Sequence, residues 1–228
     1  MSNIESSRLS LRFIPLLVSL LPFLCVHLCY LVAASFGHVD WCVPYWDSCT
    51  SISKAGRQLP EKLIFKALMI PTAVLSCFFW LILGRWLRWQ YQVGLPLMVL
   101  GVVANIFVVV YIVALGERGD VYYLMRRIGV ILFFSLTMFS QLLFVHYLQR
   151  YIISKSCPSS VLHIYRIQYG IAMMIFTVGI GSVLLSVFYE HYNRMDDAVE
   201  WILALLINAH FFTHYWLWKY LDISVHFK

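Results

Sequence analysis

Charge is scarce in this sequence. Asp, Glu, Lys and Arg make up 12% of its 228 residues, against about 25% in a soluble domain. That excludes a water-soluble globule and a charged, disordered chain. Six cysteines are too few for a disulfide scaffold, and 11 Gly with 7 Pro exclude a collagen-like chain. Catalytic signatures are missing as well. There is no nucleophile elbow, no HExxH, no phosphate-cradling glycine loop and no CxxC. Nor is there a linker, a low-complexity tail or the internal repeat of an inverted-repeat transporter.

What is present is apolar. Hydrophobic residues reach 61% and aromatics 17%, with 8 Trp and 14 Tyr, a composition that suits two membrane–water interfaces. Mean hydropathy is +0.78. The apolar residues fall in long runs, whereas a transmembrane barrel needs short alternating strands. A hydrocarbon core of about 30 Å takes roughly 20 residues of helix. Six stretches qualify: 13–35, 63–83, 95–115, 128–148, 167–188 and 199–220. The expected fold is therefore all-α, a polytopic membrane protein with a single six-helix transmembrane bundle over residues 1–228. The first stretch is too long for the core of a signal peptide, and Ala33-Ala34-Ser35 runs on into aromatic and charged sequence. The net charge of +6 reflects Lys and Arg flanking the spans, so no nucleic-acid partner is expected.

Residues 38–62 form one sizeable connection, rich in Trp, Pro, Ser, Cys and charge. The other connections are barely more than turns, so neighbours in sequence should pack antiparallel. Basic residues divide almost evenly between the two sides. However, the second connection (Arg85, Arg88) and the fourth (Arg150, Lys155, Arg166) carry bases without acids. This predicts cytoplasmic termini and an extracytoplasmic loop 38–62, and it leaves open whether the membrane is a eukaryotic endomembrane, a plasma membrane or a bacterial inner membrane. On that side of the membrane disulfides persist, so Cys42 and Cys49 are expected to pair. The alternative is two free loop thiols. Cys25, Cys29 and Cys77 read as small apolar fillers within the spans.

Polar groups at membrane depth are costly and therefore informative. Asn105, Gln141 and Asn208 read as interhelical hydrogen-bonding residues. Gly170, Met174, Thr177 and Gly181 share one face of the fifth span, which reads as a close-packing face. His27, His146, His210 and His214 also lie at membrane depth, with His210 and His214 one turn apart. Hydrogen bonding across helices is the plain reading. A haem b between His146 and His214, held as axial ligands, is the alternative, and no other cofactor or metal site is expected. Glu190, His191, Asp196, Asp197 and Glu200 form an acid-rich rim at one membrane face. It is either a solvated turn, or a site that holds a cation or polarises a lipid headgroup.

The loop ends in Ser51-Ile52-Ser53-Lys54-Ala55-Gly56-Arg57-Gln58-Leu59-Pro60-Glu61-Lys62-Leu63-Ile64-Phe65. Gly56 would allow a turn with positive φ, Pro60 suits the start of a helix, and Glu61 sits near its positive end. Ile52-Ser53, Gly56, Pro60-Glu61 and Ile64-Phe65 are spaced as in the DRAM-like family, the damage-regulated autophagy modulators and their relatives in GPI-anchor lipid remodelling, which this chain resembles. Tyr189 with His191-Tyr192-Asn193, and residues 208–222 with His210, His214 and Trp216, are similar to later parts of that family. Lys54 stands where the autophagy branch usually has an acid, and Met125-Arg126-Arg127 replaces a stretch that often holds a histidine. The resemblance implies six spans, cytoplasmic termini and a regulatory or scaffolding role in membrane-lipid organisation or in a membrane protein complex. Membrane lipids are the expected partners. An intramembrane lipid-remodelling enzyme using Glu61, His191 and Glu200 is the alternative, and a small haem-bearing redox subunit is a third reading.

Overall fold

Each apolar stretch forms a helix, and most of these helices outrun it. In the computed structural model, residues 8–155, 157–188, 195–221 and 224–226 are described. The elements are β1 (Arg8–Ser10), α1 (Phe13–Ser35), α2 (Pro44–Asp47), α3 (Ile52–Ala55), α4 (Glu61–Tyr91), α5 (Leu95–Ala114), α6 (Asp120–Ser154), α7 (Ser159–Phe188), α8 (Asp196–Tyr220) and β2 (Ser224–His226). The 35 residues of α6 reach roughly 50 Å at about 1.5 Å per residue, well beyond a hydrocarbon core of about 30 Å. The backbone hydrogen-bond ladder does not stop where charge begins, so the helices outrun their apolar stretches.

Among the described residues five helices, α1, α4, α5, α6 and α7, are long and apolar enough to cross a membrane. Six were expected. The sixth, α8, has 25 residues, but Glu200, Asn208, His210 and His214 lower its hydropathy. The outer surface carries apolar stripes. On α1, Leu17, Leu20, Leu24, Leu28 and Leu31 follow a three–four spacing and are 38–57% exposed. Such a stripe would be a liability in water and is ordinary against lipid.

The six long helices form a ring in the order α1, α4, α5, α6, α7, α8, with α8 closing on α1. A sharp turn joins α4 to α5. There Gly94 has φ +128°, and a Cβ would collide with the carbonyl of Gly84, so no other residue fits. At the same end, Lys155 donates from Nζ to Gln90 Oε1 at 2.7 Å, and Tyr91 hydrogen-bonds Ser154, tying α4 to α6. Here too β1 and β2 pair antiparallel, with Leu9 opposite Val225. This ribbon was not legible in the sequence. It brings the segment before α1 and the segment after α8 together at what we call the ribbon end.

The seam between α6 and α7 is the thinnest of the ring. The short connection from Lys155 joins these helices at the ribbon end. The buried residues of α7 are Val161, Gln168, Ala172 and Ile175, all in its first 17 positions. Past Ile175 the helix leaves the bundle. The expected close-packing face is not packed: Met174 is 50% exposed, and a Cβ on Gly170 or Gly181 would meet nothing within 4 Å. A gap opens between α6 and α7 at the other end, the cap end.

Candidate functional site: a side groove beneath the cap

The long connection folds as a cap over the end opposite the ribbon. Ser51 caps α3, its Oγ accepting from the Lys54 amide at 3.1 Å. Cys42 and Cys49 form a disulfide across α2, as expected. The Tyr30 hydroxyl donates to the Cys42 carbonyl at 2.7 Å and accepts from its amide at 2.8 Å. Trp201 anchors the other side. Its Nε1 donates to the Thr50 carbonyl at 2.8 Å, and its ring lies among His27, Tyr30 and Tyr45 at centroid distances of 5.5–6.1 Å. His27 donates from Nδ1 to the Phe23 carbonyl at 2.7 Å, so its Nε2 accepts from the Tyr45 hydroxyl at 2.9 Å. Lys54 pairs with Asp197 at 2.7 Å, and the Ala198 amide donates to Ser48 Oγ at 3.1 Å. The cap thus clamps the first turns of α8 onto α1.

Glu61 opens α4 and is fully buried. Its Oε1 accepts from His38 Nδ1 at 2.6 Å, while Oε2 has no partner. Pro60 is the residue that caps the helix. Gly56 does not adopt positive φ: its φ is −104°. It is a glycine because a Cβ would lie 2.9 Å from the Phe65 ring and 3.3 Å from Leu115. Close approach, not turn handedness, selects it.

Beneath the cap lies a small space of about 80 Å³, lined by Ile52, Asn105, Tyr111, Glu200 and Asn208 among others. It adjoins a groove of about 720 Å³ that runs between α6 on one side and α7 with α8 on the other. This volume falls within the range of about 300–1,000 Å³ typical of ligand sites. Its walls are apolar, including Phe134 and Met138 of α6, Ile175 and Val183 of α7, and Leu203 and Ile207 of α8. Its rim at the cap end is charged. Arg57, Arg126 and Arg127 stand on one side, and Asp196, Asp197 and Glu200 on the other, with Ser53 between them in the cap. Tyr111 and Glu200 line both spaces. Tyr111 is 5% exposed, and its hydroxyl has no hydrogen-bond partner.

Comparison with protein-family models, curated proteins and solved structures finds no match to this chain. Its own geometry therefore carries the functional reading.

The structure sorts the expected site residues into three places. Ile52, Ser53, Asn105, Asp196, Asp197, Glu200 and Asn208 come together at the groove and its inner space. Gly56, Pro60 and Glu61 lie on the other flank of the cap and do not line the groove, so Glu61 is not joined to Glu200. Gln141, His210 and His214 are buried in the packed half of the bundle. Glu190 and His191 lie outside the described residues.

The intramembrane polar groups behave differently from one another. Gln141 donates from Nε2 across to the Ile207 carbonyl at 3.5 Å, the interhelical bond expected. Asn105 instead donates to the Gly101 carbonyl of its own helix at 2.7 Å. Asn208 is crossed by Ser19, whose hydroxyl donates to its backbone carbonyl at 2.9 Å. Neither ring nitrogen of His210 or His214 has a hydrogen-bond partner. His214 is held by aromatic contacts, 5.0 Å from Phe79 and 4.6 Å from Phe144. The haem pairing does not fit: His146 is exposed on the outside of α6, while His214 is fully buried. Tyr111 and the three arginines escaped the sequence reading as site residues. A tyrosine within the apolar run of α5 is the one signal that could have flagged the groove.

Proposed function

We propose that this chain is a six-span membrane protein that holds a membrane lipid in the groove between α6 and α7, and that it acts in membrane-lipid organisation. The observation that carries this reading is the groove itself. It is apolar along its length, charged at one end, and open sideways through a seam between two lipid-facing helices. An acyl chain entering from the bilayer would lie along Phe134, Met138 and Ile175, with its headgroup at the arginine–carboxylate rim. The DRAM-like resemblance, with its regulatory or scaffolding role, agrees with a lipid-binding site of this kind. The ribbon of β1 and β2 supports six crossings, because paired termini require an even number. The acid-free basic connections support cytoplasmic termini.

The test is purification in mild detergent, with bound lipid identified by native mass spectrometry. Gly179 lies in the groove wall with only Met138 near, at 3.5 Å. Gly179→Trp should fill the groove and remove the co-purified phospholipid. Unchanged lipid content in a well-folded Gly179→Trp protein would overturn the proposal. One observation favours the enzyme as a second reading: Glu200 and the unpartnered Tyr111 hydroxyl both line the groove and the space beside it, where an acid–base pair would reach a lipid ester. Altered acyl-chain profiles on loss of Glu200 would favour it.

A further inference from the structure

We infer that the groove selects a phospholipid whose headgroup carries both a phosphate and a primary amine, an ethanolamine phospholipid. This inference rests on the lipid-binding reading above. The rim is divided by sign. Arg57 and Arg127 are exposed and have no carboxylate partner among the described residues. Arg126 is braced beside them, its Nη1 donating to the carbonyls of Ala114 at 3.0 Å and Glu117 at 2.9 Å. Guanidinium groups so placed suit a phosphate. Across the groove mouth, Lys54 already neutralises Asp197. Asp196 and Glu200 form no ion pair among the described residues, so the exposed Asp196 carboxylate and the more buried Glu200 carboxyl line the opening together with the arginines.

An anionic lipid without an amine would satisfy only the arginine side. Phosphatidylglycerol leaves Asp196 and Glu200 unpaired, and phosphatidylserine adds a carboxylate to that side. A choline headgroup brings a cation that cannot donate a hydrogen bond. An ethanolamine headgroup meets both sides, with its phosphate at the arginines and its ammonium donating to the carboxylates. Tyr111 supplies an independent pointer to a ligand, as a buried hydroxyl without a partner that faces the groove. It lies three residues before the end of α5, roughly 5 Å below the rim. That is the depth of the glycerol ester carbonyls, to one of which the hydroxyl would donate.

The experiment uses the full chain, delipidated in detergent and titrated with phosphatidylethanolamine, its mono- and dimethyl derivatives, phosphatidylcholine and phosphatidylglycerol, all of the same acyl chains. Binding is read by native mass spectrometry. Phosphatidylethanolamine should bind about tenfold more tightly than phosphatidylcholine or phosphatidylglycerol, and affinity should fall along the methylation series. Glu200→Gln should narrow the preference for ethanolamine over choline, and Glu200→Gln with Asp196→Asn should erase it. Arg127→Gln should weaken all phospholipids alike. Equal binding of all headgroups, lost in Gly179→Trp, would overturn this inference and leave the lipid-binding reading standing. Binding that Gly179→Trp does not alter, or no binding of any lipid, would overturn both. Should Gly179→Trp fail to fold, Ser135→Phe on the facing wall of α6 gives the same readout.

Discussion

Glu61 shows how much a single buried carboxylate demands of its surroundings. It is fully buried, and one of its oxygens depends on His38. Removing one member of a buried pair leaves the other uncompensated, at about 3–5 kcal/mol. His38→Ala should therefore lower stability in detergent more than Glu61→Gln, which removes the charge and keeps the shape. A thermal-shift series on both variants decides the order. Gly56→Val should cost about 1–3 kcal/mol by overpacking against Phe65 and Leu115, and Gly56→Ala should cost less. Both effects are steric, since the backbone there is accessible to any residue. His214 makes the opposite case. Its two ring nitrogens are buried and unpaired, and an apolar residue of similar size relieves that burden. His214→Leu should leave the melting temperature unchanged or raise it; a clear drop would mean that the imidazole has a partner, such as an internal water.

Among the elements, the cap and the connection between α5 and α6 are held by different means. The cap depends on a disulfide that closes a loop with a sequence separation of 7, a closure contributing about 2–3 kcal/mol in the chain-entropy account. The Cys42→Ser, Cys49→Ser double variant should lose that stability, and it should also free the first turns of α8. Hydrogen exchange should therefore rise at residues 196–201 before it rises elsewhere. The connection after α5 depends on charge. Glu117 is bridged by Lys62 at 2.7 Å and Lys66 at 3.2 Å, and these lysines hold its carboxyl below its ordinary range. A depressed carboxyl stabilises the fold above that range, and the contribution is lost as the carboxyl is protonated. Stability should fall as pH drops below the ordinary glutamate value of about 4.3. Glu117→Gln should flatten that part of the profile, as a pH series of melting curves would report.

For the whole molecule, the decisive measurement is sidedness. Cys157 lies in the connection between α6 and α7, but it is half-buried, and burial pushes its thiol above the ordinary value. Maleimide reacts with the thiolate, so labelling there is slow at neutral pH whichever side it faces. Ser159 is exposed at the start of α7 and a better reporter. In a Cys157→Ser background, Ser159→Cys should react with an impermeant maleimide only after the membrane is opened to its cytoplasmic side. Labelling in intact cells would invert the proposed orientation.

The helices could be read from the sequence because a membrane span depends on composition over about 20 consecutive residues. The disulfide was legible too, because two cysteines seven residues apart share one loop. The candidate site was legible only in pieces. Ile52, Ser53, Asn105, Glu200 and Asn208 drew attention one by one, as polar or loop residues. That they face a common space, while Glu61 turns away to His38 and the histidines of α8 are sealed among aromatics, depends on how the helices are rotated and which of them are neighbours. Tyr111 looked like one more aromatic in an apolar run until the ring of helices left its hydroxyl without a partner. Local composition determined where the chain is helical and what it can dissolve in. The departure of α7 from the bundle, which opens the groove, was decided by packing between residues far apart in the chain, and no window of sequence contains that information.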